Sequence, residues 1–186
     1  MSIADAQTAR ERFVHVIQGE YRVVDEPGIV LTTILGSCVA TCLWDPFAAV
    51  GGLNHFLLPG DDGEAGEEMK YGVNAMELLI NGMLQKGAAR GRIQAKLFGG
   101  ANVVQGLSDV GARNAEFGRR FLQMEGIPLV AESLGGMRAR RIRFWPTTGR
   151  AGQMLLDSTN VEVVNAERSR AEKPAPNPAA GSVELF

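Results

Sequence analysis

The chain has 186 residues, enough for one domain with a substantial core, and its 45% hydrophobic and 22% charged residues exclude a wholly disordered protein. Nineteen Lys and Arg against 21 Asp and Glu leave a net charge of −2, which argues against a dedicated binder of nucleic-acid phosphates. No apolar run approaches the ~20 residues that span a bilayer, and MSIADAQTARERFVHV lacks a basic stretch followed by an apolar one; no membrane insertion and no signal peptide are expected, and the predicted location is cytoplasmic.

Residues 1–19 are mixed and polar until Phe13, Val14, Val16 and Ile17. Tyr21, Val23 and Val24 form a short apolar run, closed by the turn residues Asp25-Glu26-Pro27-Gly28. Ile29 to Leu35 is β-branched and apolar, which predicts a buried strand. Gly36-Ser37 breaks it. Cys38 to Trp44 is a second predicted strand, Asp45-Pro46-Phe47-Ala48 a turn, and Val50 to Leu58 a third strand. The acidic stretch Asp61 to Glu68 reads as a surface loop.

Val73, Met76, Leu79, Ile80, Met83 and Leu84 share one helical face, and Gly87 closes that helix. A strand is predicted over Arg92–Phe98, followed by Gly99-Gly100. A second helix runs from about Ala112 to Gly126. Two more strands follow, Ile127–Ala131 and Arg138–Trp145. The latter alternates Arg140, Ile142 and Phe144 against Arg141, Arg143 and Trp145, so one face is partly cationic. The glycine pairs read as turns or bulges, and none forms a nucleotide-binding motif. The burial pattern fades after about Ala166. Residues 1–167 are read as a single domain and 168–186 as a disordered tail. Strands come first and then alternate with helices, which implies a layered α+β or α/β fold with a mixed sheet.

The two cysteines, Cys38 and Cys42, sit four apart on one predicted strand. That spacing separates their Cα atoms by roughly 13 Å, and a disulfide needs less than about 7 Å. Two thiols with no Cys or His at metal spacing also make a poor zinc site. Cys42 reads as a small buried hydrophobe. Cys38 differs, because the Cys38–Leu58 segment reads as a hairpin about Pro46-Phe47. Residues whose numbers sum to 93 then lie opposite each other, and Cys38 faces His55. A shift of register by one or two leaves them diagonal neighbours. An imidazole beside a thiol takes its proton and makes it a nucleophile for acyl chemistry. Gly36 allows close approach of a substrate, and backbone N–H groups around Ser37-Cys38 are placed to stabilise an oxyanion. Thr32, Thr33, Thr41 and Asn54 are the nearby polar candidates for orienting His55. His15 reads as structural or surface.

The runs Thr32-Thr33-Ile34-Leu35-Gly36-Ser37-Cys38-Val39-Ala40, Cys42-Leu43-Trp44-Asp45-Pro46 and Gly51-Gly52-Leu53-Asn54-His55-Phe56-Leu57-Leu58-Pro59 resemble the CheD family of chemoreceptor glutamine deamidases. The resemblance continues through Tyr71–Ile80, Ala95–Ala101, Arg113-Asn114, Ile127–Glu132, Leu134-Gly135-Gly136 and Thr148-Gly149-Arg150. It implies an α+β fold of packed mixed sheets flanked by helices, similar to the catalytic domain of the cytotoxic necrotizing factors. It implies a catalytic Cys38, His55 and Thr32, with Thr33 as the adjacent alternative to Thr32. The implied reaction is hydrolysis of glutamine side chains on chemoreceptor cytoplasmic helices, with no metal and no cofactor. A CheC-type phosphatase is the implied second partner. Two other readings compete: a cysteine amidase acting on a different protein, and a non-catalytic adaptor for receptors or a phosphatase.

Overall fold

A computed structural model describes residues 11–59, 66–103 and 108–157. The elements run β1 (Arg12–His15), β2 (Tyr21–Val24), β3 (Ile29–Leu35), β4 (Val39–Asp45), β5 (Val50–Phe56), α1 (Glu67–Gln85), β6 (Gln94–Gly99), α2 (Ser108–Met124), β7 (Leu129–Leu134), β8 (Arg140–Trp145) and β9 (Arg150–Leu155). Two mixed sheets result. One has the order β1-β3-β8-β9, with β1 parallel to β3. The other has the order β2-β5-β4-β6-β7, with β7 parallel to β6.

Alternation along the strands divides the core into two layers. Leu31 and Leu35 of β3, with Ile142 and Phe144 of β8, point from the first sheet toward Ala40, Cys42, Trp44 and Leu53 of the second. The other face of the second sheet carries Val39, Leu43 and Phe56, and the helices cover it through Met76, Leu79, Ile80, Met83, Phe117 and Phe121. The arrangement is sheet, sheet, helices. β4 and β5 are buried on both faces along their whole length, which explains why they read as continuous apolar runs.

The hairpin register differs by two from the expected one: Val39 pairs with Phe56 and Ala40 with His55, so paired numbers sum to 95. Its turn is held by Asp45. The Asp45 carboxylate accepts from Phe47 N at 2.9 Å, Ala48 N at 3.1 Å and Ala89 N at 2.9 Å, and from Arg92 Nε at 3.0 Å. Burial works to raise its pKa, but Arg92 and the three backbone donors prevail and hold it at about 2. Those bonds lock the turn, and the turn sets which residue of β5 stands beside Cys38.

Several boundaries are corrected. Glu67 and Glu68, expected in a loop, open α1, where carboxylates complement the positive end of the helix. Helix α2 starts at Ser108, and the strand expected from Ile127 begins at Leu129. β1 and β9 were not expected as strands. Of the partly cationic strand, Arg140 turns inward and donates to Ser133 O and Gly135 O, while Arg143 stacks over Phe13. Gly99 is neither a turn nor a bulge but the end of β6: at φ +112° it lies so close that an added Cβ would stand 2.1 Å from Cys38 O. Only glycine satisfies both conditions. The expected tail, 168–186, lies outside the described residues.

Candidate active site

Cys38 follows the Gly36-Ser37 break between β3 and β4, and three successive carbonyls of this turn are anchored. Gly36 O accepts from Ala101 N, and Cys38 O from Gly100 N, each at 2.8 Å. Ser37 O accepts from Asn114 Nδ2 at 3.0 Å. Asn114 lies wholly buried on α2, and its Oδ1 accepts from Leu58 N at 2.8 Å. One side chain thus ties the turn before Cys38 to the strand end after His55.

His55 pairs with Ala40 across the hairpin. Ala40 is two residues along from Cys38 and faces the same way, so Cys38 and His55 are diagonal neighbours on the inner face of the second sheet. Both are almost completely buried. The hydroxyl at the His55 ring is that of Thr33. Its Oγ1 stands 2.9 Å from His55 Nδ1 and 2.7 Å from Val16 O. A carbonyl only accepts, so the single hydroxyl proton goes to Val16 O and a lone pair faces Nδ1. Val16 O lies 3.4 Å from the same nitrogen. With acceptors on both sides, Nδ1 carries the ring proton and Nε2 is the basic nitrogen.

Thr32, the expected orienter, makes a different contact. Thr32 donates to Ile142 O at 2.7 Å. Alternation decides the matter: Leu31, Thr33 and Leu35 face the space between the sheets, and Thr32 faces the other way. The two other candidates also point elsewhere. Asn54 accepts from Thr41 N at 3.0 Å and donates to Ala75 O at 3.1 Å, fastening the hairpin to α1. Thr41 Oγ1 contacts Met76 Sδ. Cys42 is fully buried, and burial pushes its thiol far up despite the charge of Lys96.

Two further residues reach the site that sequence reasoning did not single out for it. Gln18, in the turn between β1 and β2, accepts from Cys38 Sγ at 3.5 Å. Tyr71 of α1 is close enough for a charged Cys38 to act on it: its hydroxyl pKa is raised, chiefly by burial and then by Cys38. A small pocket lined by Gly19, Glu20, His55, Tyr71 and Asn74 reaches the same region. Among the described residues no three His, Cys, Asp or Glu side chains gather to hold a metal, and no helix is long and apolar enough to cross a membrane.

A protein from Acidiphilium cryptum named "Probable chemoreceptor glutamine deamidase CheD" is 53% identical over 99% of this chain and 98% of its own length. The chain belongs to the CheD family. The CheD family model, described as chemotactic sensory transduction, matches residues 57–154. That span holds Asn114 and both helices. The CheD relatives extend over nearly the whole chain: those from Agrobacterium fabrum and Caulobacter vibrioides carry the same name, at 51% identity over 96% of this chain and 98% of that protein, and 53% over 93% and 92%. Among solved structures, the Bacillus licheniformis hypothetical protein YfiH is 17% identical over 69% of this chain and 61% of its own, with a TM-score of 0.42. So weak a likeness leaves the CheD sheets and helices to be described on their own terms.

Proposed function

We propose that this chain hydrolyses glutamine side-chain amides on chemoreceptor helices to glutamate, with Cys38 as nucleophile and His55 as base and then acid. The observation that carries the reading is the Thr33–His55 hydrogen bond, which presents a basic Nε2 on the face that holds Cys38. The names of the relatives supply the substrate class. Cys38 gives its proton to His55 Nε2, and Sγ bonds to the carboxamide carbon. The carbon–nitrogen bond then breaks, and the leaving nitrogen takes the proton from His55 and departs as ammonia. Water attacks the thioester, giving its proton to His55. Sγ leaves and recovers a proton, and the side chain is now a carboxylate. Backbone N–H groups at Ser37 and Cys38, beyond Gly36, are the oxyanion donors in this reading, supported by the anchoring of the three adjoining carbonyls.

The likeness to the necrotizing-factor fold, the 1–167 domain and a CheC-type partner belong to this reading on sequence resemblance alone. The test is peptide mass spectrometry of a chemoreceptor cytoplasmic fragment incubated with the protein. Conversion of glutamine to glutamate at defined positions is the expected result. A fragment that binds and is never converted identifies an adaptor instead.

Thr33→Val removes the hydroxyl and keeps the shape. Its expected effect is a fall in kcat of about tenfold or more, because the imidazole loses its orienting acceptor. Thr32→Val costs less activity. The check is kcat for both variants on the same fragment, and the opposite order returns the orienting role to Thr32.

A further inference from the structure

The sulfur of Cys38 is fully buried, yet the proposed reaction requires a glutamine from another protein to reach it. What stands at the sulfur is a glutamine of the chain itself. Gln18 Oε1 accepts from Cys38 Sγ at 3.5 Å. The residue is half-buried, at the tip of the turn between β1 and β2.

That turn is held in place. Glu20 N donates to Ile17 O at 3.0 Å across it. Gly19, at φ +85°, takes the corner that a residue with a side chain resists. Gly19 N donates to His55 O at 2.8 Å, and His55 N donates to Glu20 O at 3.0 Å. The backbone of the turn is therefore fastened to β5 beside the base. Opening the way to Cys38 by lifting the turn would break both bonds to His55. Rotating the Gln18 side chain breaks one weak contact to sulfur.

We infer that Gln18 occupies the subsite of the substrate carboxamide as an internal surrogate, and that an incoming glutamine displaces its side chain while the turn stays in place. This rests on the deamidase reading and adds the identity of the gate. The chemistry matches: the side chain at the nucleophile carries the same functional group, on the same number of methylenes, as the side chain to be hydrolysed. The contact also belongs to the resting state. Sulfur donates only as a thiol, so transfer of its proton to His55 removes the attraction to Oε1 and leaves a thiolate facing a carbonyl oxygen. Activation and release of Gln18 are then coupled.

Gln18→Ala in the full-length protein is the test, with two readouts. The first is the rate of Cys38 alkylation by iodoacetamide, followed by peptide mass spectrometry with Cys42 as internal reference. A closed fraction held by one weak hydrogen bond implies a rise of about threefold to fivefold when the side chain is removed. The second is the kinetics of receptor-fragment deamidation, where KM falls by a similar factor. Gln18→Leu keeps the bulk without the carboxamide: alkylation lying between wild type and Gln18→Ala is expected. Unchanged or slower alkylation in Gln18→Ala overturns the inference. So does a fall in kcat at constant KM, which makes Gln18 a donor to the oxyanion instead. Wild-type conversion of the fragment, measured alongside, separates these results from failure of the deamidase reading.

Discussion

His55→Ala lowers the rate of glutamine deamidation by about a thousandfold and leaves a folded protein. The imidazole serves twice in the proposed sequence, taking the Cys38 proton and delivering it to the leaving nitrogen. Without it no base takes the thiol proton, and ammonia must leave without a positioned acid. The ring bonds to Thr33 of the other sheet, but the β4–β5 ladder runs through the His55 backbone and stays intact when the ring is removed. Circular dichroism and a melting curve check the fold. The variant also alkylates more slowly at Cys38 near neutral pH. An activity loss with unchanged thiol reactivity contradicts the role of His55 as the base toward Cys38.

Asn114→Ala produces the largest loss of stability among the substitutions considered. Asn114 is wholly buried and satisfies Leu58 N and Ser37 O at once. Truncation orphans two buried backbone groups, each costing about 1–3 kcal/mol, and leaves a small cavity. The expected total is about 3–4 kcal/mol, which lowers the melting temperature by roughly 10 °C in a domain of this size. Asn114→Leu fills the volume but orphans the same groups, so it remains destabilised, and a stable Asn114→Leu protein contradicts the account. Activity at a temperature where both variants are folded falls as well, since the side chain joins the turn before Cys38 to the strand end after His55.

The sequence makes the central hairpin legible because its signals are local. Gly36-Ser37 interrupts two apolar runs, Asp45-Pro46 marks the turn, and the pairing of Cys38 with His55 survives an error of two in register, because a shift of two preserves the face. The choice between Thr32 and Thr33 is not legible in the same way. Ile29 to Leu35 is buried on nearly every side, so its apolar pattern carries no phase that separates Thr32 from Thr33. The phase comes from β8 and from the packing of the two sheets. Asn114 leaves a faint trace, a polar residue on the buried face of α2 between Ala115 and Gly111. Gln18 leaves none, since a polar residue before glycine reads as an ordinary turn. β1 and β9 are short, mostly exposed edge strands, and such strands lack the alternation that periodicity detects.

The most direct test of the role given to Cys38 is a peptide map of one receptor fragment treated in parallel with wild-type protein and with Cys38→Ala. Cys38 is small and Ala differs only in the sulfur, so the fold persists and binding of the fragment is retained. Cys42 has no means of replacing it, being fully buried with its thiol pKa pushed up. The account predicts glutamate at specific former glutamines with wild type and none with Cys38→Ala. Conversion of the same glutamines by the Cys38→Ala protein at a comparable rate contradicts it.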